Sequence, residues 1–188
     1  TDTQINMGTE QQASEEIKKI ALEFGAGLVG ITNYDIRWEY SRKFSDMSAT
    51  SRPAEIPDTL NNVIVIAQPM DYELVRTVPS ALSGSATGLG YSHDALAVLS
   101  LAQYIRNLGY EAIGSMNDTS LAIPYAIKSG LGEYGRHGLL ITPKYGPRIR
   151  LGKVYTNMPL SHDRPIRFGV KEFCEICRRC TKGCPVKA

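Results

Sequence analysis

Four cysteines near the end of the chain constrain what it can fold around. Cys174, Cys177, Cys180 and Cys184 are the only cysteines, and Pro185 follows the last of them. The spacing C-x2-C-x2-C-x3-C-P is an iron–sulfur ligand run. Three closely spaced thiolates reach three corners of one [4Fe–4S] cube, and the longer last spacing turns Cys184 toward a second cluster. Disulfides between cysteines this close would be strained. Structural zinc favours separated C-x2-C knuckles or a Cys/His mixture, and no histidine lies near the run. Each cluster takes four cysteine thiolates, so both clusters are short of ligands. A second run is expected downstream, and the chain reads as a fragment cut inside an electron-transfer module.

The rest of the chain sets the frame for that module. At 188 residues and 43% apolar composition it reads as one globular domain plus the start of another. No stretch reaches the roughly 18 apolar residues of a membrane helix. The chain begins at Thr1 without a charged-then-apolar leader, so a processed leader site or a cut would each explain the start. The net charge of +2 conceals an asymmetry: residues 1–127 carry 8 Lys/Arg against 15 Asp/Glu, and residues 128–188 carry 13 against 4. Arg178, Arg179 and Lys182 flank the cysteines, where cations suit an anionic cluster. Nucleic acid is therefore not the expected partner.

Helical and strand signals alternate, which predicts an α/β class. Thr9 and Gln12 fit a capping box for a helix over 9–24, with Ile17, Ile20, Ala21 and Phe24 on one face. Residues 28–32 predict a short strand. Residues 33–58 read as a helical turn and a surface loop. Residues 63–67, VIVIA, suit a strand buried on both faces. The Ser/Gly/Ala-rich stretch 79–90 has no phosphate-cradle pattern and leads into a helix over 93–108. Ser92 is its expected cap, and Leu96, Leu99, Leu101, Ala102 and Ile105 its buried side. A strand over 110–115, a polar turn at 117–119 and a short helix over 120–129 follow.

Gly130, Gly132, Gly135 and Gly138 then crowd one segment, as where backbone approaches something closely. Residues 139–142 and 148–156 predict a strand pair. On the second strand Arg148, Arg150, Gly152 and Val154 share one face, and Ile149, Leu151, Lys153 and Tyr155 the other. An arginine beside a glycine leaves room for a flat ligand under the guanidinium. His93, His137 and His162 carry no mark of a metal ligand.

The motifs G-L-G-E-x-G-R at 130–136, G-L-L-I-T-P at 138–143, Y-G-P-R-x-R at 145–150 and the cysteine run together resemble the corrinoid-dependent reductive dehalogenases. The match reaches back through I-R-N-L-G-Y at 105–110, and residues 1–80 share only general character. The resemblance implies a nitroreductase-like α/β (α+β) corrinoid-binding core over 1–167. It also implies the start of a ferredoxin-like module with two [4Fe–4S] clusters over 168–188. It further implies a cobalamin held base-off as cob(I)alamin and the reductive removal of halide from an organohalide. Tyr91, Asn117 and Arg150 correspond to the family's catalytic set. Gly132, Gly135, Gly138 and Gly152 are the expected corrinoid contacts.

The residue types suit that chemistry. A phenol is a poor acid, with an unperturbed pKa of about 10, and a guanidinium beside it favours loss of its proton. Asn117 is expected to orient the tyrosine or the substrate. A membrane anchor protein and an electron donor are the implied partners, on the outer face of the cytoplasmic membrane. The alternatives are an epoxyqueuosine reductase-like tRNA-modifying enzyme, which shares the corrinoid and clusters, and a ferredoxin module fused to an unrelated domain.

Overall fold

The computed structural model describes residues 4–45 and 50–186. Helix α1 (Glu10–Glu23) starts as its capping box requires. The Thr9 hydroxyl accepts the Gln12 N–H at 3.2 Å, and the Gln12 side chain accepts the Thr9 N–H at 2.9 Å. Ile17 and Ala21 are fully buried. Strand β1 (Leu28–Asn33) follows. The segment expected to be irregular holds a helical turn at Ile36–Trp38 and a hairpin of β2 (Arg42–Ser45) and β3 (Thr50–Pro53). β3 is exposed throughout, so its sequence lacks the alternation that announces a half-buried strand.

Strand β4 (Asn62–Pro69), helix α2 (Tyr72–Val75) and the 27-residue helix α3 (Ala81–Asn107) come next. α3 corrects the expectation for this region. It begins at a Ser80–Ser83 capping box, and Ser92 sits mid-helix with its hydroxyl on the Gly88 carbonyl. Leu101, Ala102 and Ile105 are buried as expected, but Leu96 and Leu99 are 62% and 58% exposed. The buried stripe instead runs through Ala86, Gly90, Asp94, Ala97 and Val98. Glycine and aspartate on that face hide the helical period from a reading of apolar residues alone.

Strand β5 (Ala112–Ser115), helix α4 (Ala122–Lys128), short strands β6 (Glu133–Tyr134) and β7 (Leu140–Ile141), and strand β8 (Ile149–Thr156) complete the core. The main sheet has the order β1-β4-β8-β5, and every pairing is antiparallel. β7 pairs with β6, not with β8 as the sequence suggested. β8 lies between β4 and β5, and its second part, 152–156, is buried there.

The sheet is the middle of three layers. Ile64, Ile66 and Val154 face α1 and α3, with Ile17, Leu101 and Ile105. Val63, Val65 and Tyr155 face α4, with Tyr125 and Leu131. Burial on both faces explains the unbroken apolar run of β4, although its sheet is antiparallel. Asp163 covers the edge of β1: its N–H bonds the Ile31 carbonyl at 2.8 Å, and its carboxylate accepts the Ile31 N–H at 2.7 Å. Helices α5 (Val170–Cys177) and α6 (Arg179–Lys182) end the described chain. No described helix is long and apolar enough to cross a membrane.

Candidate active site

Three elements distant in sequence meet at one phenol. Tyr91 lies on α3, Asn117 on the turn after β5, and Arg150 on β8. Asn117 Nδ2 donates to the Tyr91 hydroxyl oxygen at 2.9 Å, and Arg150 Nη1 donates to the same oxygen at 3.3 Å. The guanidinium carbon lies 4.4 Å from the Tyr91 ring centroid. Two donors fill the acceptor capacity of that oxygen and leave its own O–H as the proton available to something else. Gly90 lets α3 come this close, since a Cβ there would lie 3.0 Å from Met70 Cγ and 3.2 Å from Arg150 Cγ.

Asn117 and Arg150 also line a cavity of about 290 Å³. Its other walls are mainly apolar, from Met70, Ala122, Ile123, Leu139, Leu140, Ile149 and Leu151 among others. The arrangement offers a positioned proton donor, a fixed cation and an amide beside a small apolar space. None of the three histidines lines this cavity. His93 lines a neighbouring one, His137 accepts the Leu139 N–H, and His162 pairs with Asn62.

Two buried charges behind the phenol are absent from the residues singled out by sequence. Asp94, one helical turn beyond Tyr91, is 1% exposed. Burial pushes its carboxyl up to about 6, against the pull of Lys153 and Arg150. Asp94 Oδ1, Gln68 Oε1 and Arg150 Nε are buried without a hydrogen-bond partner among the described residues. Gln68 is the cross-strand neighbour of Arg150. Lys153 is fully buried, and burial brings its ammonium down to about 8 although Asp118 and Asp94 oppose the change. The available signal was a charge interrupting an apolar pattern: Asp94 three residues before Ala97, and Lys153 between Leu151 and Tyr155.

The room expected under Arg150 for a flat ligand is filled by the protein. A Cβ on Gly152 would lie 2.3 Å from Val98 Cγ2 and 2.6 Å from Asp94 Oδ1, so this glycine admits α3 to the sheet. Gly132 is likewise pressed on its own chain, 2.2 Å from the Ile141 carbonyl oxygen by the same measure, and Gly135 on His137 and Ile141. Gly138 differs: its φ is +84°, and the nearest neighbour of a Cβ would be the Tyr134 hydroxyl at 3.6 Å. Its need for glycine is conformational, and its surroundings are open.

Glu133 of the G-L-G-E motif ties the cysteine segment to this region. Its carboxylate accepts the Phe168 and Val170 N–H groups at 2.6 and 3.2 Å, and those bonds hold it below the usual carboxylate range. Cys174 and Cys177 sit on α5, Cys180 on α6, and Cys184 follows. Among the described residues no three metal-ligating side chains are gathered into one site.

A three-layer α+β fold thus holds a phenol between an amide and a guanidinium, and those two donors line a mainly apolar cavity. The family model for the reductive dehalogenase subunit matches residues 47–160, and the chain belongs to that family. Tetrachloroethene reductive dehalogenase of Dehalobacter restrictus (strain DSM 9455 / PER-K23) is 38% identical over 96% of the chain, which spans 39% of that relative's length. A solved reductive dehalogenase, described as B12-dependent, matches the whole chain at a TM-score of 0.86 and 28% identity, with 27% of its own length covered. Epoxyqueuosine reductase from Streptococcus thermophilus shares the fold over 92% of this chain and 52% of its own, at a TM-score of 0.60 and 20% identity.

Proposed function

We propose that the protein to which this chain contributes is a corrinoid-dependent reductive dehalogenase acting on a small organohalide, with Tyr91 as its proton donor. The convergence of Asn117 and Arg150 on the Tyr91 oxygen carries this reading. The reaction balances as R–X + 2e⁻ + H⁺ → R–H + X⁻. A bound corrinoid supplies the reducing power that breaks the carbon–halogen bond. Tyr91 supplies the proton, and Arg150 and Asn117 stabilise the negative charge that grows on its oxygen as the proton leaves. The apolar walls hold the halocarbon and exclude water.

A corrinoid would lie against an open stretch of this chain, and two of the histidines are engaged elsewhere, His137 with the Leu139 N–H and His162 with Asn62. Gly138, with its open surroundings, is the glycine against which such a flat group would rest. The cysteine spacing supports [4Fe–4S] clusters as the electron relay, in a ferredoxin-like module beginning near residue 168. A membrane anchor, an electron donor and a place on the outer face of the cytoplasmic membrane belong to the same proposal. The relative at 38% identity over 96% of the chain favours a chlorinated ethene as substrate over an epoxyqueuosine-bearing tRNA.

Chloride release from tetrachloroethene by the full-length holoenzyme tests the reading. Tyr91→Phe is expected to lower kcat by about 10²–10⁴-fold, the weight of a general acid, with the corrinoid spectrum retained. Turnover close to wild type in that variant would overturn the proton-donor role.

A further inference from the structure

We propose that Lys153 is a positioning residue for Asn117, fixing the turn that carries the amide donor to the strand that carries the guanidinium donor. The proposal rests on the site described above. Lysine is almost never fully buried without a partner, and Lys153 has none of its side chain in solvent. It stands on β8 between Val65 of β4 and Ser115 of β5, on a face otherwise made of Ile149, Leu151 and Tyr155. An apolar side chain would suit that packing. Lys153 Nζ instead donates to the Met116 carbonyl at 2.6 Å and to the Ser120 carbonyl at 3.2 Å. These two carbonyls bracket Asn117.

Other bonds hold the far half of the turn. The Tyr40 N–H donates to the Thr119 carbonyl at 3.0 Å, and the Leu121 N–H to the Trp38 carbonyl at 2.8 Å. On the Asn117 side, the Ser115 hydroxyl reaches the Asp118 and Thr119 side chains at 3.1 and 2.8 Å, and the bond from Lys153 to Met116 is the one that holds the backbone next to Asn117. Arg150 and Lys153 are three apart, so they leave β8 on opposite faces. Arg150 meets Tyr91 from the α3 side, and Lys153 meets the turn from the other. One strand thereby sets the distance between the two donors on the phenol oxygen.

The charged groups that act on Lys153 are Asp118 of the turn, Asp94 of α3 and Lys43 of β2. Burial and Lys43 weaken its hold on the proton, and the two carboxylates strengthen it. The ammonium therefore discharges near pH 8, at which point the charge-assisted bonds to the turn weaken.

The test uses the full-length holoenzyme and Lys153→Met. Loss of a charged donor is expected to lower kcat about tenfold or more, with KM little changed. Hydrogen exchange in the 115–121 peptide should rise by a similar factor while α1 stays protected. The wild-type pH profile should fall with a midpoint near 8, and that limb should be absent from the variant. A kcat like wild type, or a limb with its midpoint still near 8 in Lys153→Met, would overturn the assignment. If Lys153→Met does not fold, Asp118→Asn must move the midpoint to lower pH, and an unmoved midpoint overturns the proposal equally. If the wild-type holoenzyme shows no dehalogenation, the dehalogenase reading has failed. The exchange of the 115–121 peptide still decides the part played by Lys153, and unchanged exchange in Lys153→Met then rejects it.

Discussion

The tyrosine site and the cysteine segment are built in opposite ways. Tyr91, Asn117 and Arg150 are spread over 60 residues of chain, yet two hydrogen bonds and a ring contact join them. The four cysteines span eleven residues, yet the described structure gathers no metal-ligating group from them. Phe173 and Ile176 around them are 64% and 84% exposed, while the residues behind Tyr91 are closed to solvent. The tyrosine site is preorganised by long-range packing. The cysteine segment carries its information as spacing, and ligand bonds would supply the free energy that orders it.

The sharpest way to separate the two is to remove one group from each in the full-length protein. Cys177→Ser is expected to abolish the visible absorption of a cluster and to cut turnover by at least the 10²-fold expected of Tyr91→Phe. Tyr91→Phe should leave that absorption intact. A Cys177→Ser protein with unchanged absorption and turnover would remove the relay from the proposal and leave the tyrosine site untouched.

The next effect lies in the support behind the tyrosine. The Asp94 carboxyl is raised from 3.8 to about 6 in the fold, so its burial is tolerated best when it is protonated. Its contribution to stability is fully present below about pH 4 and is lost as pH rises through 6. At 1.36 kcal/mol per pKa unit the loss is roughly 3 kcal/mol. Denaturant unfolding of wild type and Asp94→Asn between pH 4 and 7 checks it. The wild-type-minus-variant difference should fall across that window, and a flat difference would mean that Asp94 does not titrate there. Gly152→Ala attacks the same contact sterically, since its Cβ would overlap Val98 and the Asp94 carboxylate. Overpacking of this kind costs about 1–3 kcal/mol, and at roughly 2–4 °C per kcal/mol the Tm should drop by several degrees. An unchanged Tm would show that α3 can lift off the sheet freely, and the site would then be less preorganised than its contacts indicate.

What the sequence revealed divides along the same line. The Thr9–Gln12 capping box is legible because it depends on residues three positions apart, and the cysteine run is a reading of spacing alone. The place of Tyr91, Asn117 and Arg150 came from resemblance, because nothing in the local pattern of α3 or β8 joins them. The first three turns of α3 are hidden in the sequence because Gly84, Gly88 and Gly90 argue against a helix. Gly90 is there for close packing on Met70 and Arg150, a reason visible only in three dimensions. Asp94 and Lys153 interrupt apolar patterns, and only their burial in the fold links them to the site. Adjacent strands commonly pair, which points β7 to β8 in sequence, whereas β8 makes its bonds to β4 and β5 and β7 pairs with β6.

The smallest effect tests how far the cysteine segment is shaped without its ligand. Arg178 joins α5 to α6 with φ at +49°, the one non-glycine residue at positive φ among those described. That conformation costs a side-chain-bearing residue about 1–2 kcal/mol. Part of this is offset by its Nε–H, which donates to the Glu175 carbonyl at 2.9 Å. Arg178→Gly relieves the strain but gives up the bond and adds roughly 0.5–1 kcal/mol of chain entropy on folding. The three terms nearly cancel, so the net change should stay within about 1 kcal/mol. Hydrogen exchange over 174–183 should shift by less than tenfold, and the protection of α3 and β8 should not move. A loss well beyond tenfold would show that the arginine side chain holds the bend between the cysteines in advance of any cluster, and the two regions would then differ less in kind than their contacts imply.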